Sequence, residues 1–165
     1  MKNTMPQFFL LCAVIIFISC KKQDALVASP APEIKSSYIS FKQDTIPLTL
    51  SVTTARKESI GSLFTTTIEG QMPDSNLRKN NLTIRVTGDS ARAYLNTEIF
   101  ASYTDSLGTA YANVINDTIN KVTITKLQKI KQGIVEGNFT IRVSNTTKTK
   151  TLLLTPGKFS TSFEE

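Results

Sequence analysis

The chain has 165 residues, with 19 Lys and Arg against 13 Asp and Glu for a formal charge of +6, two cysteines, and neither histidine nor tryptophan. Without His there is no Ser-His-Asp triad, no Cys-His dyad and no ordinary His-containing zinc site, which removes most hydrolase chemistry. The length suits one single-core domain, and the mild positive excess is scattered rather than gathered in an aromatic-rich basic motif, so nucleic acid is not an expected partner.

Lys2 is the only charge before an uninterrupted apolar run, Phe8 to Ile18. Its 11 residues match a signal-peptide core of roughly 7–15 and fall short of the roughly 20 needed to span a bilayer. Residues 1–19 are therefore expected to be a cleaved signal peptide. The segment Phe17-Ile18-Ser19-Cys20 resembles the bacterial lipobox, although Phe17 and Ile18 depart from its commonest residues. That resemblance implies that Cys20 carries diacylglycerol on its sulfur and becomes the first mature residue. Lys21-Lys22 stands where an inner-membrane retention Asp would be, which implies an outer-membrane destination; the periplasmic face and the cell surface both stay open. Cys12 leaves with the signal peptide, so no disulfide or free thiol is expected. Two or three acyl chains, at about 0.8 kcal/mol per buried methylene, make a membrane anchor. Without Lys2 the charge is 18 basic against 13 acidic residues, or +5.

Residues 20–37 read as the lipidated Cys and a flexible tether, marked by Ser29-Pro30-Ala31-Pro32. Seventeen residues reach at most roughly 55 Å when extended. The single domain is expected over 38–165.

From Tyr38 the period is two. Ile46, Leu48, Leu50 and Val52 alternate with Thr and Ser, and Pro47 on the opposite face predicts an edge strand, because Pro cannot donate to a ladder. Leu63–Glu69 places Phe64, Thr66 and Ile68 on one side; Leu82, Ile84 and Val86 follow, closed by Gly88-Asp89. Residues 92–95 and 110–115 are weaker strands, with a turn expected over Tyr103–Gly108. Val122–Leu127 and Ile134–Val143 are clear. In the second, Val135, Gly137, Phe139, Ile141 and Val143 share a face, and Gly137 predicts a bulge or a close backbone approach. Strands 151–155 and 158–163, joined by a Pro156-Gly157 turn, end the chain. With 23 Thr and no helical periodicity, this predicts an all-β, antiparallel β-sandwich of about eight or nine strands, with a closed β-barrel as the alternative.

The chemistry of sites is sparse. A glycosidase-like carboxylate pair would have to come from Asp44, Glu58, Glu69, Asp74, Asp89, Asp105, Asp117 or Glu136, most of which fall where turns are expected. No Ser-x-x-Lys motif is present, and Asn116-Asp117 to Asn120 is too sparse for a calcium loop. Neither a metal nor another cofactor is expected. Tyr38, Tyr94, Tyr103 and Tyr111 are the aromatic candidates for a sugar-stacking surface, against the commoner use of Tyr as half-buried packing.

One pattern exceeds chance. Asp44-Thr45-Ile46, Asp89-Ser90-Ala91, Asp105-Ser106-Leu107 and Asp117-Thr118-Ile119 each resemble the Asp-(Ser/Thr)-apolar O-glycosylation sequon of exported Bacteroidetes proteins. Four of six Asp match, where composition predicts about 0.7. Thr45, Ser90, Ser106 and Thr118 are thus candidate sugar sites. Asp-Ser and Asp-Thr pairs in turns, bonding local backbone, account for the same pattern.

Val122-Thr-Ile-Thr-Lys-Leu127, Val135-Glu-Gly137-Asn-Phe139 and Leu154-Thr155-Pro-Gly157-Lys-Phe159 together resemble the C-terminal signature of small Bacteroidetes-type lipoproteins carrying a β-sandwich domain of unknown function. The likeness covers about the last 45 residues and the signal peptide; the N-terminal half departs from it. It implies a fold and no catalytic residues, with Gly137 and Gly157 supplying backbone conformations and Phe139 and Phe159 filling the core. The expectation is an outer-membrane lipoprotein that is not an enzyme and that binds a protein or glycan partner or acts as a spacer. The alternative is an envelope carbohydrate hydrolase with a carboxylate pair.

Overall fold

The computed structural model describes residues 36–73 and 80–164. The signal peptide, Cys20 and nearly all of the expected tether lie outside the described residues, as does Asp74. Ile34–Glu165 forms a compact unit by itself.

Eleven strands make up this unit: β1 Tyr38–Gln43, β2 Ile46–Leu50, β3 Val52–Ile60, β4 Leu63–Gln71, β5 Asn81–Thr87, β6 Ala93–Leu95, β7 Ile99–Thr104, β8 Ala110–Asn113, β9 Lys121–Leu127, β10 Ile134–Asn145 and β11 Thr151–Ser162. A 3-10 turn, Asn96–Glu98, links β6 to β7. The all-β, antiparallel class agrees with the sequence, and the strand count is higher. The alternation read over 46–53 breaks at Ser51, which separates β2 from β3. β3 is a strand despite Arg56-Lys57-Glu58, because β4 pairs with its whole length. Tyr103 is not in a turn: it is a buried residue of β7, and the turn begins at Asp105.

The strands join in one sheet, ordered β2-β1-β11-β10-β8-β7-β5-β4-β3, with β9 pairing β10 and β6 added to β9. Its two end strands, β2 and β3, are consecutive in the chain, so the sheet bends round at Ser51 and nearly closes as a barrel. A parallel bridge between Ala55 and Phe163, with Glu164 N–H donating to Ala55 O at 3.1 Å, narrows the remaining seam. A strand that changes partner at a bend is the usual way for sheets to turn such a corner.

β10 makes the opposite corner. It pairs with β9 through Val135–Thr140 and with β8 through Val143–Asn145. Between these stretches, Asn120 accepts the Arg142 N–H at 2.8 Å and donates to Val114 O at 2.8 Å, while Val114 N–H donates to Arg142 O at 3.0 Å. Asn120 is fully buried, and it supplies the ladder partner that neither strand provides there.

The inward rows form one core, including Ile39, Phe41, Leu50, Ile68, Leu82, Ile84, Val122, Ile124, Ile141 and Leu154. Burying each such side chain stabilises the fold by about 1.5–3 kcal/mol. Phe139 and Phe159 join this core by a reciprocal fit. Gly137 pairs with Phe159 and Phe139 with Gly157. A Cβ at Gly137 would overlap the Thr123 carbonyl oxygen and the Phe159 ring; one at Gly157 would overlap the Phe139 ring. The rings stack with centroids 6.5 Å apart. The ladder to β9 shifts register between Glu136 and Gly137, which is the expected bulge.

The expected Pro156-Gly157 turn is absent; β11 runs through it as one strand. The peptide before Pro156 is cis. The ladder is irregular between Phe139 and Ile141, opposite the proline that has no N–H to give. Pro47 does sit on an edge strand. Gln43 and Ile46 flank a two-residue turn, so Pro47 is among the residues whose backbone groups face away from β1, and its missing donor blunts that edge.

Candidate functional site

The four described aspartates of the sequon pattern lie in four different connections. Asp44, with φ 54°, donates its N–H to Leu153 O at 2.9 Å and accepts Leu153 N–H on Oδ1 at 3.1 Å, which fastens the β1–β2 turn to β11. Asp105 is buried; its Oδ1 accepts Leu107 and Thr109 N–H, both at 2.9 Å, and its Oδ2 accepts the Tyr111 hydroxyl at 3.1 Å. Asp117 accepts Ile119 N–H at 3.0 Å and Arg142 Nη1 at 2.7 Å. Asp89 receives Lys57 Nζ and Lys129 Nζ, each at 3.1 Å. The hydrogen bond from Lys57, followed by that from Lys129, holds its carboxyl below the usual range.

Local turn bonds thus account for Asp105 and Asp117, whereas Asp44 bonds to β11 and Asp89 to two lysines. The residues that follow them, Thr45, Ser90, Ser106 and Thr118, are all exposed. They lie in the β1–β2, β5–β6, β7–β8 and β8–β9 connections, spread over the surface rather than gathered in one patch.

The tyrosines form no exposed platform. Tyr94, Tyr103 and Tyr111 are buried, and Tyr38 is half-buried. Tyr94 donates to Ser90 O at 2.7 Å and accepts Ser90 N–H at 3.0 Å, closing the β5–β6 loop. Gly88, at φ 142°, lies so close that a Cβ would meet the Tyr94 ring at 2.7 Å. Outside, the Arg92 guanidinium covers this ring at 3.9 Å and pairs with Glu98 at 2.5 Å. The Arg92 hydrogen bond and then the Leu95 N–H lower the Glu98 pKa. Tyr103 reaches across to donate to Gln43 Oε1 at 2.7 Å. Burial first, then Asp105 and Tyr111, push its phenol up to about 12.

Concavity lies elsewhere. A trough of about 480 Å³ on the outside of β9, β10, β11 and β1 is bordered by Tyr38, Thr125, Glu136, Asn138 and Lys158. A second, about 770 Å³, has a floor of small residues, Ser102, Ala110, Ala112 and Ser144, between Ile115 and Lys148. Both are in the size range of ligand sites. A pair of cross-strand neighbours, Arg85 and Phe100, also faces outward, with the guanidinium 4.9 Å from the ring centre. Among the described residues no group of three or more His, Cys, Asp or Glu is placed to hold a metal ion.

The sequence signalled neither Asn120 nor the Lys57–Asp89–Lys129 cluster. Each depends on residues far apart in the chain, and nothing local in an Asn or a Lys marks its distant partner. No family model, no curated protein and no solved structure matches the chain.

Proposed function

We propose that this chain is an outer-membrane lipoprotein, anchored through Cys20, whose barrel-like domain binds a protein or glycan partner or spaces one from the membrane, without catalysis. The observation that carries the non-catalytic reading is the use of the aspartates. Asp44, Asp89, Asp105 and Asp117 are each committed to a separate turn or ion pair. A glycosidase needs two carboxylates about 5–10 Å apart, facing one bond and free to exchange protons. The residues that resemble the motif of small Bacteroidetes-type lipoproteins, Gly137, Phe139, Gly157 and Phe159, are spent on packing, which supports the same reading. The two outer troughs offer hydrogen-bonding and apolar surface to a partner.

Sugars on Thr45, Ser90, Ser106 and Thr118 belong to the same proposal, supported by the exposure of all four. They would coat the loops and leave the sheet faces bare. Unshifted masses for all four peptides from native cells would remove the sugars from it.

Metabolic labelling with a radioactive fatty acid tests the anchor. Label is expected on the native chain and not on Cys20→Ala. An unlabelled native chain overturns the lipoprotein reading, and release of reducing sugar from envelope glycan by the purified protein overturns the non-catalytic one. Protease treatment of intact cells then distinguishes surface display from the periplasmic face.

A further inference from the structure

At one end of the barrel the inward rows run on past the core. Ala55 pairs with Phe163 near the end of the chain, yet β3 continues to Ile60 and returns through β4 from Leu63. Lys57 extends the row of buried Ala55, and Phe64 extends the row of buried Thr66 and Ile68. Among the described residues no strand covers Phe64, which is 42% exposed, and Leu63, on the other row of β4 at the hairpin end, is 51% exposed. Lys57 Nζ stands 5.1 Å from the Phe64 ring centre and shares Asp89 with Lys129. This draws the β9–β10 loop to the hairpin, and Ile130 at its tip is 70% exposed between Lys129 and Lys131.

The N-terminal segment joins the barrel toward the same end. Tyr38 pairs with Ser160, and Ser162, two residues on, pairs with Ile134, which closes the β9–β10 loop. Ser36 therefore leads toward the Ile130 end, and 15 residues, Lys21 to Lys35, separate it from Cys20.

We infer that this end of the barrel is a lipid-facing surface, on which Leu63, Phe64 and Ile130 dip into the membrane interface while Lys57 and Lys129 lie at headgroup level. The inference rests on the anchored reading above. Apolar tips flanked by Lys fit an interface, because the long Lys stem reaches headgroup level while its neighbours enter the apolar layer. The site is small and would bind weakly in free solution. A tether of this length makes the contact intramolecular, so that weak affinity suffices.

The chain has no Trp, and without the signal peptide its only thiol is Cys20. Residues 20–165, which contain the compact unit, can therefore be coupled through Cys20 to a maleimide lipid in vesicles of phosphatidylethanolamine and phosphatidylglycerol. This coupling supplies an anchor whether or not cells lipidate the chain, so the outcome is separate from the fatty-acid experiment. Ile130→Trp reports one end. Leu107→Trp, in the exposed β7–β8 turn beyond Thr104, reports the other. Bromine-labelled lipid is expected to quench Trp at 130 at least about threefold more than Trp at 107, and Leu63→Ser with Phe64→Ser is expected to reduce that difference. Equal quenching at the two ends, or stronger quenching at 107, overturns the inference.

Discussion

The β10–β11 pair and the seam between β3 and the β9–β10 loop close the same barrel by different physics. In the first, Gly137 faces Phe159 and Phe139 faces Gly157, so rings fill the space that the glycines leave on the neighbouring strand. In the second, β3 runs beyond its bridge to Phe163, and Lys57, Asp89 and Lys129 span the gap with ion pairs between groups that water reaches. Complementary volume is short-ranged and indifferent to salt, and it tolerates almost no change. Exposed charge is long-ranged and weak, and it leaves its surroundings free to meet another surface. The difference shows where the fold is specified and where it remains adaptable.

The largest expected effects come from breaking the first region. Gly137→Ala places a methyl against the Thr123 carbonyl oxygen, which is backbone and cannot turn aside; a loss of about 3 kcal/mol is expected in urea unfolding. Gly157→Ala meets the Phe139 ring first and is expected to cost about 2 kcal/mol. The two differ in rescue. Phe139→Leu should recover part of the Gly157→Ala loss, whereas Phe159→Leu should recover little of the Gly137→Ala loss; equal rescue in both double-mutant cycles would refute the interlock.

A middle-sized effect is expected at Asn120→Ala, which leaves the Arg142 N–H without its acceptor and the Val114 carbonyl with only the longer bond from Asp117 N–H, 3.3 Å, at the β10 corner. The cost is about 1–3 kcal/mol, and hydrogen exchange at Arg142 should quicken more than that at Ile141.

Tyr103 gives the fold an alkaline limb. Its folded pKa of about 12 lies above the unfolded value near 10. The unfolded chain loses that proton first as pH rises, so the contribution of the neutral phenol is complete below about pH 10 and is lost between there and about pH 12. Tyr103→Phe should flatten the alkaline melting profile while lowering stability at neutral pH through the lost bond to Gln43.

The smallest change is expected at the charged seam. Asp89→Asn should lower Tm slightly in dilute buffer, and the gap from the native chain should shrink in 1 M salt, where the screening length is about 3 Å. Because the Asp89 pKa is depressed, its contribution is present above the unfolded value and disappears as pH falls through the folded one. Gly157→Ala should show no such salt dependence, and a salt-dependent loss there would erase the contrast between the regions.

Much of the β10–β11 half was legible in the chain. Alternation over 134–143 placed Val135, Phe139, Ile141 and Val143 inward, Gly137 marked a close approach, and Pro47 marked an edge. β3 was not legible, because its Arg, Lys and Glu lie on a free edge where no core requires apolar residues. Pro156-Gly157 looked like a turn because those residues usually make one; here two flanking strands hold the segment extended. The four Asp-Ser/Thr pairs stood out as a pattern, and the structure divides it: Asp105 and Asp117 bond within their turns, Asp44 bonds β11 and Asp89 pairs with two lysines, while the hydroxyl residues stay exposed.

The sequence by itself determined the all-β class, the inward rows and the turn chemistry, since side-chain period and local hydrogen bonding act over a few residues. Only the tertiary structure decided that eleven strands form one nearly closed sheet, that Asn120 completes a ladder at Arg142, and that the N-terminal segment joins near Ile130. Those outcomes depend on which distant strands meet and in what register. A period of two is the same for every partner, so it carries no information about which one is chosen.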